Sequence, residues 1–355
     1  MVNNIETLVI ASNVEEWQLH QEALGFEIEV AALNGIAEDG IFYQKVPNSR
    51  LKDKWTEENI RKNWASTMQK AYDGLRSQGV VLGEFNGWPA VYSTEGKPIR
   101  FNGDRLRVEG FTSMPNGGLQ FLLSDETYAA HDFLRNTQKP KAWQGNLHTI
   151  NGIVLTSDNY FTTGWRRAHV TDQQVEHIIP AGFIDARILP KPEDFAESPQ
   201  EAVYRKFFEE FGMIGTHYGE KPVSAAVREF GEELISPEGI VDRAAIKLIG
   251  VVYNSYNNHD YTCTMIIPVN AARDQITLPE AQLSEHSGIN FTATDYDSLV
   301  SKLFEMSMMR DATSGHARGD IALLIGHLHG PDAFKEAIKE ARDKLTTAIE
   351  YTPRQ

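Results

Sequence analysis

Cysteine is almost absent from this chain of 355 residues, in which Cys263 is the single example. One cysteine cannot form a disulfide within the chain, and so we expect a reducing compartment. Cys263 lies in an apolar run, which favours a core residue over a nucleophile. The sequence therefore predicts neither a disulfide scaffold nor a cysteine nucleophile.

Long apolar runs and long basic runs are missing as well. No apolar run reaches about 18 residues, the length from which a membrane-spanning helix becomes a candidate. Residues 1–6 contain no basic region of the kind that begins a signal peptide. We therefore expect a soluble, cytoplasmic protein that does not bind a membrane. The formal net charge of −15, without a long basic run, also argues against a nucleic-acid polymer as a partner.

Hydrophobic residues make up 41% of the chain, which is enough for a sizeable core and for two domains. Short apolar segments and helical patterns alternate along the second half, as expected of a mixed α+β protein. The predicted strands are 148–156, 160–167, 245–253, 261–269 and 289–294. The predicted helices in the same half start at 222, 295, 315 and 331.

The most informative stretch is the helix predicted over residues 222–235. Pro222 is tolerated in a first helical turn, where its missing N–H would have no partner. At 100° per residue the helix has two faces. The polar face contains Ala225, Arg228, Glu229, Glu232 and Glu233. The apolar face contains Val223, Ala226, Val227, Phe230 and Leu234.

Three carboxylates lie within one turn of this helix, and like charges at these spacings repel each other. A hard divalent cation with oxygen ligands would relieve the repulsion. The alternative interpretation is a solvated acidic face on which Arg228 acts as the counterion. The helix alone does not decide between a metal site and a solvated face.

The wider pattern resembles the signature of the Nudix hydrolase superfamily, G-x5-E-x7-R-E-U-x-E-E-x-G-U, in which U is a bulky apolar residue. Glu220, seven further residues and then the segment 228–233 match in register. Upstream, the segment 180–182, Pro-Ala-Gly, resembles the Pro-Gly-Gly turn that precedes the signature in the family. The chain departs from the pattern at Ile214, which replaces the first glycine, and at 235–236, which replace the closing Gly-U.

A second segment, 197–213, matches the same pattern and includes the closing glycine. Lys206 stands there in place of the first glutamate, where it would pair with Glu210 instead of binding a metal. Its apolar arc is wide and aromatic, as in a packing helix. We therefore place the metal on the helix at 222–235 and interpret the segment 197–213 as a lid or a packing element.

The resemblance implies the Nudix fold, a mixed β-sheet between helices in an α-β-α arrangement. It also implies a catalytic domain at 141–312 with an insertion at about 186–218, followed by C-terminal helices at 313–355 that pack on it. Residues 1–140 resemble the additional α/β domain that precedes the catalytic part in members acting on nucleoside-diphosphate sugars. The alternative for 1–140 is an unrelated α/β domain for packing or for homodimer formation.

The resemblance further implies roles for individual residues. The metal ligands would be the carboxylates of Glu229, Glu232 and Glu233 and the carbonyl of Ala181. Arg228 would hold the glutamates in place. Glu220 would not contact the metal itself but would help to position the residues that do. Glu285, or else Glu280, would accept a proton from the attacking water. Of Arg166 and Arg167, adjacent in a strand, only one can face the site, and we prefer Arg167 for contact with a phosphate.

The function that the resemblance implies is hydrolysis, with Mg2+ or Mn2+, of a nucleoside diphosphate linked to a group X. The products would be a nucleoside monophosphate and X-phosphate. A nucleotide sugar is one candidate substrate, but the sequence does not identify X or the base. The alternatives are a Nudix-fold protein that binds nucleotides as a sensor without hydrolysing them, and a scaffold or dimerisation protein.

Overall fold

The computed structural model describes residues 8–9, 24, 26–46, 57–114, 117–135, 147–167, 175–184, 186–188, 217–253, 260–279, 286–309 and 312–351. Three predictions concern positions outside this set, namely the segment 197–213, Glu280 and Glu285. Among the helices described, none is long and apolar enough to cross a membrane.

The described strands, in chain order, are β1 (Leu8–Val9), β2 (Glu27–Ile36), β3 (Ile41–Lys45), β4 (Val81–Phe85), β5 (Trp88–Tyr92), β6 (Pro98–Arg100), β7 (Asp104–Ser113), β8 (Leu119–Thr127), β9 (His148–Leu155), β10 (Tyr160–Arg166), β11 (Glu176–Ile178), β12 (Ala181–Phe183), β13 (Ala186–Ile188), β14 (His217–Gly219), β15 (Lys247–Tyr253), β16 (Tyr261–Pro268) and β17 (His286–Ala293). The described α-helices are α1 (Glu57–Leu75), α2 (Tyr128–Arg135), α3 (Pro222–Glu233), α4 (Tyr296–Met308), α5 (Gly315–His329) and α6 (Pro331–Tyr351). The strands and helices predicted in the second half are confirmed, with ends displaced by a few residues.

A mixed sheet of nine strands forms the centre of the molecule. Its order is β1-β2-β15-β16-β9-β10-β11, with β12 paired to β9 and β17 paired to β10. β16 and β9 run parallel, whereas the other pairs are antiparallel. The pairing of β12 with β9 brings the Pro-Ala-Gly turn to the middle of this sheet.

Helices cover both faces of the sheet, since its central strands are apolar on both sides. On β9, Ile150 and Val154 belong to the same hydrophobic core as α3, and Ile153 belongs to the core of α4, α5 and α6. This alternation follows from the two-residue period of a strand. The mixed α+β class predicted from the sequence is therefore confirmed.

The N-terminal part of the chain shares the central sheet. β2 lies antiparallel to β15, with Val30 opposite Val251, and both residues are buried. Two smaller sheets of three strands, β3-β8-β7 and β4-β5-β6, lie outside the central sheet. β2, which lies inside the range 1–140, therefore has its hydrogen-bonding partner far along the chain, and the domain boundary near 140 stays a prediction.

Candidate functional site

Helix α3 begins at Pro222, as predicted, and ends at Glu233, two residues before the predicted end. Its apolar face packs against β9, β12, β15 and β16. Val223 and Phe230 are buried there, but Glu229 and Glu233 are also buried, with exposed fractions of 8% and 6%. Part of the polar face of α3 is thus buried, and the helical pattern alone does not predict this burial.

The cover over Glu229 is the strand β12. A Cβ atom built on Gly182 would overlap with the carboxyl group of Glu229. The backbone of β12 therefore approaches this side chain so closely that only glycine fits at position 182. This contact brings the Pro-Ala-Gly turn and the acidic helix together, as the sequence motif predicts.

Glu233 contacts the same strand. The backbone N–H of Ala181 donates a hydrogen bond to Glu233 Oε2 at 3.1 Å. The side chain of Glu232, in contrast, is 57% exposed. Of the three predicted carboxylate ligands, two therefore face β12 and the third faces solvent.

Arg228 is surrounded by acceptors. Its Nε and Nη2 atoms donate to the two carboxylate oxygens of Glu220, at 3.0 and 2.8 Å. Nη1 donates to Glu229 Oε1 at 2.6 Å and lies 3.5 Å from Glu232 Oε2, while Nη2 also donates to the carbonyl of Phe183 at 3.0 Å. Such charge-assisted bonds are strong and directional. Arg228 thus joins Glu220, the helix and β12.

Burial sets the electrostatics of the site. Burial raises the pKa of Glu229 from 4.5 to about 7, although the neighbouring Arg228 acts in the opposite direction. The hydrogen bonds that Arg228 donates to the carboxylate of Glu220, with the nearby charge of Glu229, raise the pKa of Arg228. Glu229 therefore keeps a proton to a higher pH than an exposed glutamate does, despite the neighbouring guanidinium.

A divalent cation fits this site in part. Glu229 and Glu233 are buried oxygen donors one helical turn apart, and a bound cation would favour the charged form of Glu229. Among the residues that the structure describes, however, no group of three or more His, Cys, Asp or Glu side chains could hold a metal ion. The two glutamates could therefore supply only some of the ligands of a metal ion, and other groups would have to supply the rest.

The two predicted phosphate-binding arginines have different surroundings. Arg166 Nε donates to His177 Nε2 at 3.4 Å, whereas Arg167, which is exposed, donates to the carbonyl of His286 at 3.1 Å. Gly164 lies two residues before Arg166 and so faces the same side of β10. A Cβ on Gly164 would meet His286 and Ile179, and Ile179 belongs to the hydrophobic core beside α3. Arg166 therefore contacts the side chain of His177, and the choice of Arg167 for contact with a phosphate stays a prediction.

His177 and His286 form a buried pair that the sequence analysis missed. Their Nε2 atoms are 3.0 Å apart, and their rings stack with centroids 5.1 Å apart. Burial, together with the charge of Arg166, lowers the pKa of His177 well below its usual value. The two residues are 109 positions apart in the chain, so no local spacing could have indicated this pair.

Comparison with known proteins adds little to this geometry. No family model matches the chain, and no curated protein matches it. Among solved structures, the crystal structure of DR0079 from Deinococcus radiodurans is similar over 49% of this chain and 80% of its own, with 10% sequence identity and a TM-score of 0.25. A likeness at that TM-score carries no argument about fold or function.

Proposed function

We propose that this protein has the Nudix fold and is a hydrolase that cleaves the diphosphate bond of a nucleoside diphosphate linked to a group X, with Mg2+ or Mn2+ as cofactor. The observation that carries the proposal is the pair of buried glutamates, Glu229 and Glu233, that face the backbone of Ala181 and Gly182. Arg228 holds one of them in place. Arg228 is a cation beside Glu229, and a bound divalent cation would add positive charge beside both carboxylates.

Each residue has a defined task in this proposal. Arg228 fixes the orientation of Glu229, and the N–H of Ala181 fixes that of Glu233. Both carboxylates would supply oxygen ligands to the metal. The metal, when bound, supplies charge neutralisation of the diphosphate and a more acidic water. Glu285 or Glu280, both outside the described residues, would accept the proton of that water.

The test is a panel of nucleoside diphosphate compounds, incubated with Mg2+ and read by phosphate release after a coupled phosphatase. We expect turnover that is lost with excess EDTA and in Glu229→Gln. Glu238→Gln is the matched control, since Glu238 is exposed just beyond the same helix. Turnover that persists unchanged in EDTA would refute the proposal.

A nucleotide-binding sensor that does not hydrolyse is the second candidate. One observation favours it, namely that the described residues do not complete a metal site. A sensor would bind members of the same panel in calorimetry without releasing any monophosphate. Release of the monophosphate would exclude this candidate.

A further inference from the structure

The hydroxyl group of Tyr43 joins the N-terminal sheet to the start of the acidic helix. Tyr43 is buried on β3, and its Oη atom lies 3.1 Å from the backbone carbonyl oxygen of Glu220. Oη also lies 3.3 Å from His148 Nε2. Tyr43 and Glu220 are 177 residues apart in sequence, so this contact exists only in the folded chain.

The protons in this group of residues can be placed from donor and acceptor capacity alone. The carbonyl of Glu220 can only accept, so Tyr43 donates to it. The ring of His148 must then donate from Nε2 to the Tyr43 oxygen. This tautomer leaves Nδ1 of His148 as an acceptor, and the Sγ atom of Cys263 lies 3.9 Å from it. The hydrogen bonds therefore run in one direction, from Cys263 to Glu220.

The ionisation of these groups agrees with that direction. Burial lowers the pKa of His148 to about 3, so its ring is neutral at neutral pH. Burial also raises the pKa of the Tyr43 hydroxyl and of the Cys263 thiol well above their usual values, so both keep their protons. No member of the group changes charge near neutral pH, and the tyrosine remains a donor.

Glu220 is the residue through which this arrangement reaches the site. It lies between β14 and α3, where its backbone accepts from Tyr43 and its side chain accepts two bonds from Arg228. Arg228 in turn donates to Glu229. A carboxylate placed by its own anchored backbone presents both oxygens to the guanidinium in the geometry that two parallel bonds require.

We propose that Tyr43 is a positioning residue, which anchors the backbone of Glu220 so that Glu220 and Arg228 hold Glu229 in the orientation needed for hydrolysis. This proposal rests on the proposed function for its catalytic consequence, but not for its geometry. In this proposal β3, which belongs to a separate sheet, contributes to the site through the hydrogen bond from Tyr43 to the carbonyl of Glu220.

The first experiment measures hydrogen exchange at the Arg228 Nε–H by NMR in Tyr43→Phe, which keeps the ring and removes the donor. We expect the exchange rate of this proton to rise about fivefold. One lost hydrogen bond costs about 1 kcal/mol, which corresponds to a factor of about five in an equilibrium. Arg318 on α5 is the internal control, because its guanidinium is buried, donates to Thr313 Oγ1 and lies across the sheet from α3. Unchanged exchange at Arg228, or an equal rise at Arg318, would overturn the proposal.

Tyr92→Phe is the matched control variant. The Tyr92 hydroxyl also donates to the backbone carbonyl of a glutamate, Glu84, at 2.6 Å, but in the small sheet β4-β5-β6. We expect it to leave Arg228 exchange unchanged. A rise in exchange at Arg228 comparable to that in Tyr43→Phe would contradict the specific role of Tyr43.

The second experiment measures steady-state kinetics on the best compound of the panel. We expect Tyr43→Phe to lower kcat about fivefold with KM nearly unchanged, because a disoriented Glu229 affects the reaction and not substrate binding. An unchanged kcat beside faster Arg228 exchange would refute the catalytic consequence. If the wild type hydrolyses nothing while Arg228 still responds, the proposed function fails and the anchoring by Tyr43 stands.

Discussion

At the level of single residues, the site depends on the absence of a side chain at Gly182. Gly182 lets β12 lie directly against the carboxyl group of Glu229. The sequence motif indicated a turn at this position, but the reason for the glycine is a contact with a helix that begins 40 positions later. Its absence of a Cβ is therefore a property of the site and not only of the turn.

Gly182→Ala should disrupt the site, because the new methyl group would occupy the space of the Glu229 carboxyl group. We expect a loss of about 1–3 kcal/mol in the free energy of unfolding, as for other overpacked positions. Urea denaturation measures this loss, and the hydrolysis assay measures the accompanying fall in rate.

Gly231→Ala on the same helix is the matched control. A Cβ there would meet nothing within 4 Å, and position 231 is exposed. Because alanine favours a helix more than glycine does, we expect a gain of about 0.5–1 kcal/mol. Equal losses in both variants would show that the close contact at Gly182 is not the cause.

At the level of elements, two segments carry nearly the same motif, and a pair of substitutions distinguishes them. We expect Glu233→Gln, on α3, to lower the rate of hydrolysis by about a hundredfold or more, as losses at metal sites commonly do. Glu210→Gln, in the segment 197–213, should change the rate by less than about threefold, since the predicted pair with Lys206 would contribute little. The same assay of phosphate release measures both.

The reverse result, with Glu210→Gln as the damaging change, would move the active site into the insertion. The loop length between the turn and α3 does not argue for that outcome. Doubling a surface loop costs only about 0.6 kcal/mol. The segment 197–213 has the shorter connection to the turn at 180–182, but the identity of the ligands should matter more than this difference in length.

Helix α5 is attached to the central sheet by a buried carboxyl group, Asp320. It accepts hydrogen bonds from Thr264 Oγ1 at 2.5 Å and from Asn151 Nδ2 at 2.6 Å, and it is fully buried. Burial raises its pKa from 3.8 to about 7 against the effect of these bonds. Asp320 therefore holds a proton in the folded protein over a pH range in which the unfolded chain has released it.

This difference predicts a pH dependence of stability. Between pH 3.8 and about 7 the folded state binds more protons at Asp320, so the free energy of unfolding falls as the pH rises through this range. In Asp320→Asn the amide can accept from Asn151 and donate to Thr264 at every pH. We expect the variant to lose the contribution of Asp320 to this fall in the free energy of unfolding, which is on the order of 4 kcal/mol over the whole range. Denaturation at a series of pH values, with wild type as reference, measures the difference. Parallel pH profiles would contradict the prediction.

At the level of the whole molecule, the central sheet is assembled from both ends of the chain. β2 occupies a position beside β15, and α5 packs against both strands. Residues of β2 such as Val30 and Ala31 are almost completely buried. Removing the N-terminal part would expose these contacts on β15 and leave its hydrogen-bonding groups unpaired.

A fragment of residues 141–355, cut at the predicted domain boundary, should therefore fail to fold as an independent unit. We expect poor solubility, weak near-ultraviolet circular dichroism and no cooperative melting, in contrast to the full chain. A soluble fragment with a cooperative transition would instead support a domain boundary near 140. The full chain, prepared in parallel, is the control.

The sequence by itself determined the local features. Periodicity predicted α3, the strands β9, β10, β15 and β16 and the C-terminal helices, because each of these patterns depends on neighbours only a few residues away. The nearness of Arg228 to Glu232, four residues on, follows from helical geometry in the same way. The assignment of these residues to a diphosphate hydrolase stays a prediction.

Only the tertiary structure decided which distant residues meet. It placed Gly182 against Glu229, Tyr43 against Glu220, His177 against His286, and β2 beside β15. It also buried Glu229 and Glu233, which the amphipathic pattern had left on an open polar face. The physical reason is that such contacts depend on how whole elements pack. Residues separated by 47 positions, as Gly182 and Glu229 are, or by 221, as Val30 and Val251 are, leave no periodic signal in the sequence.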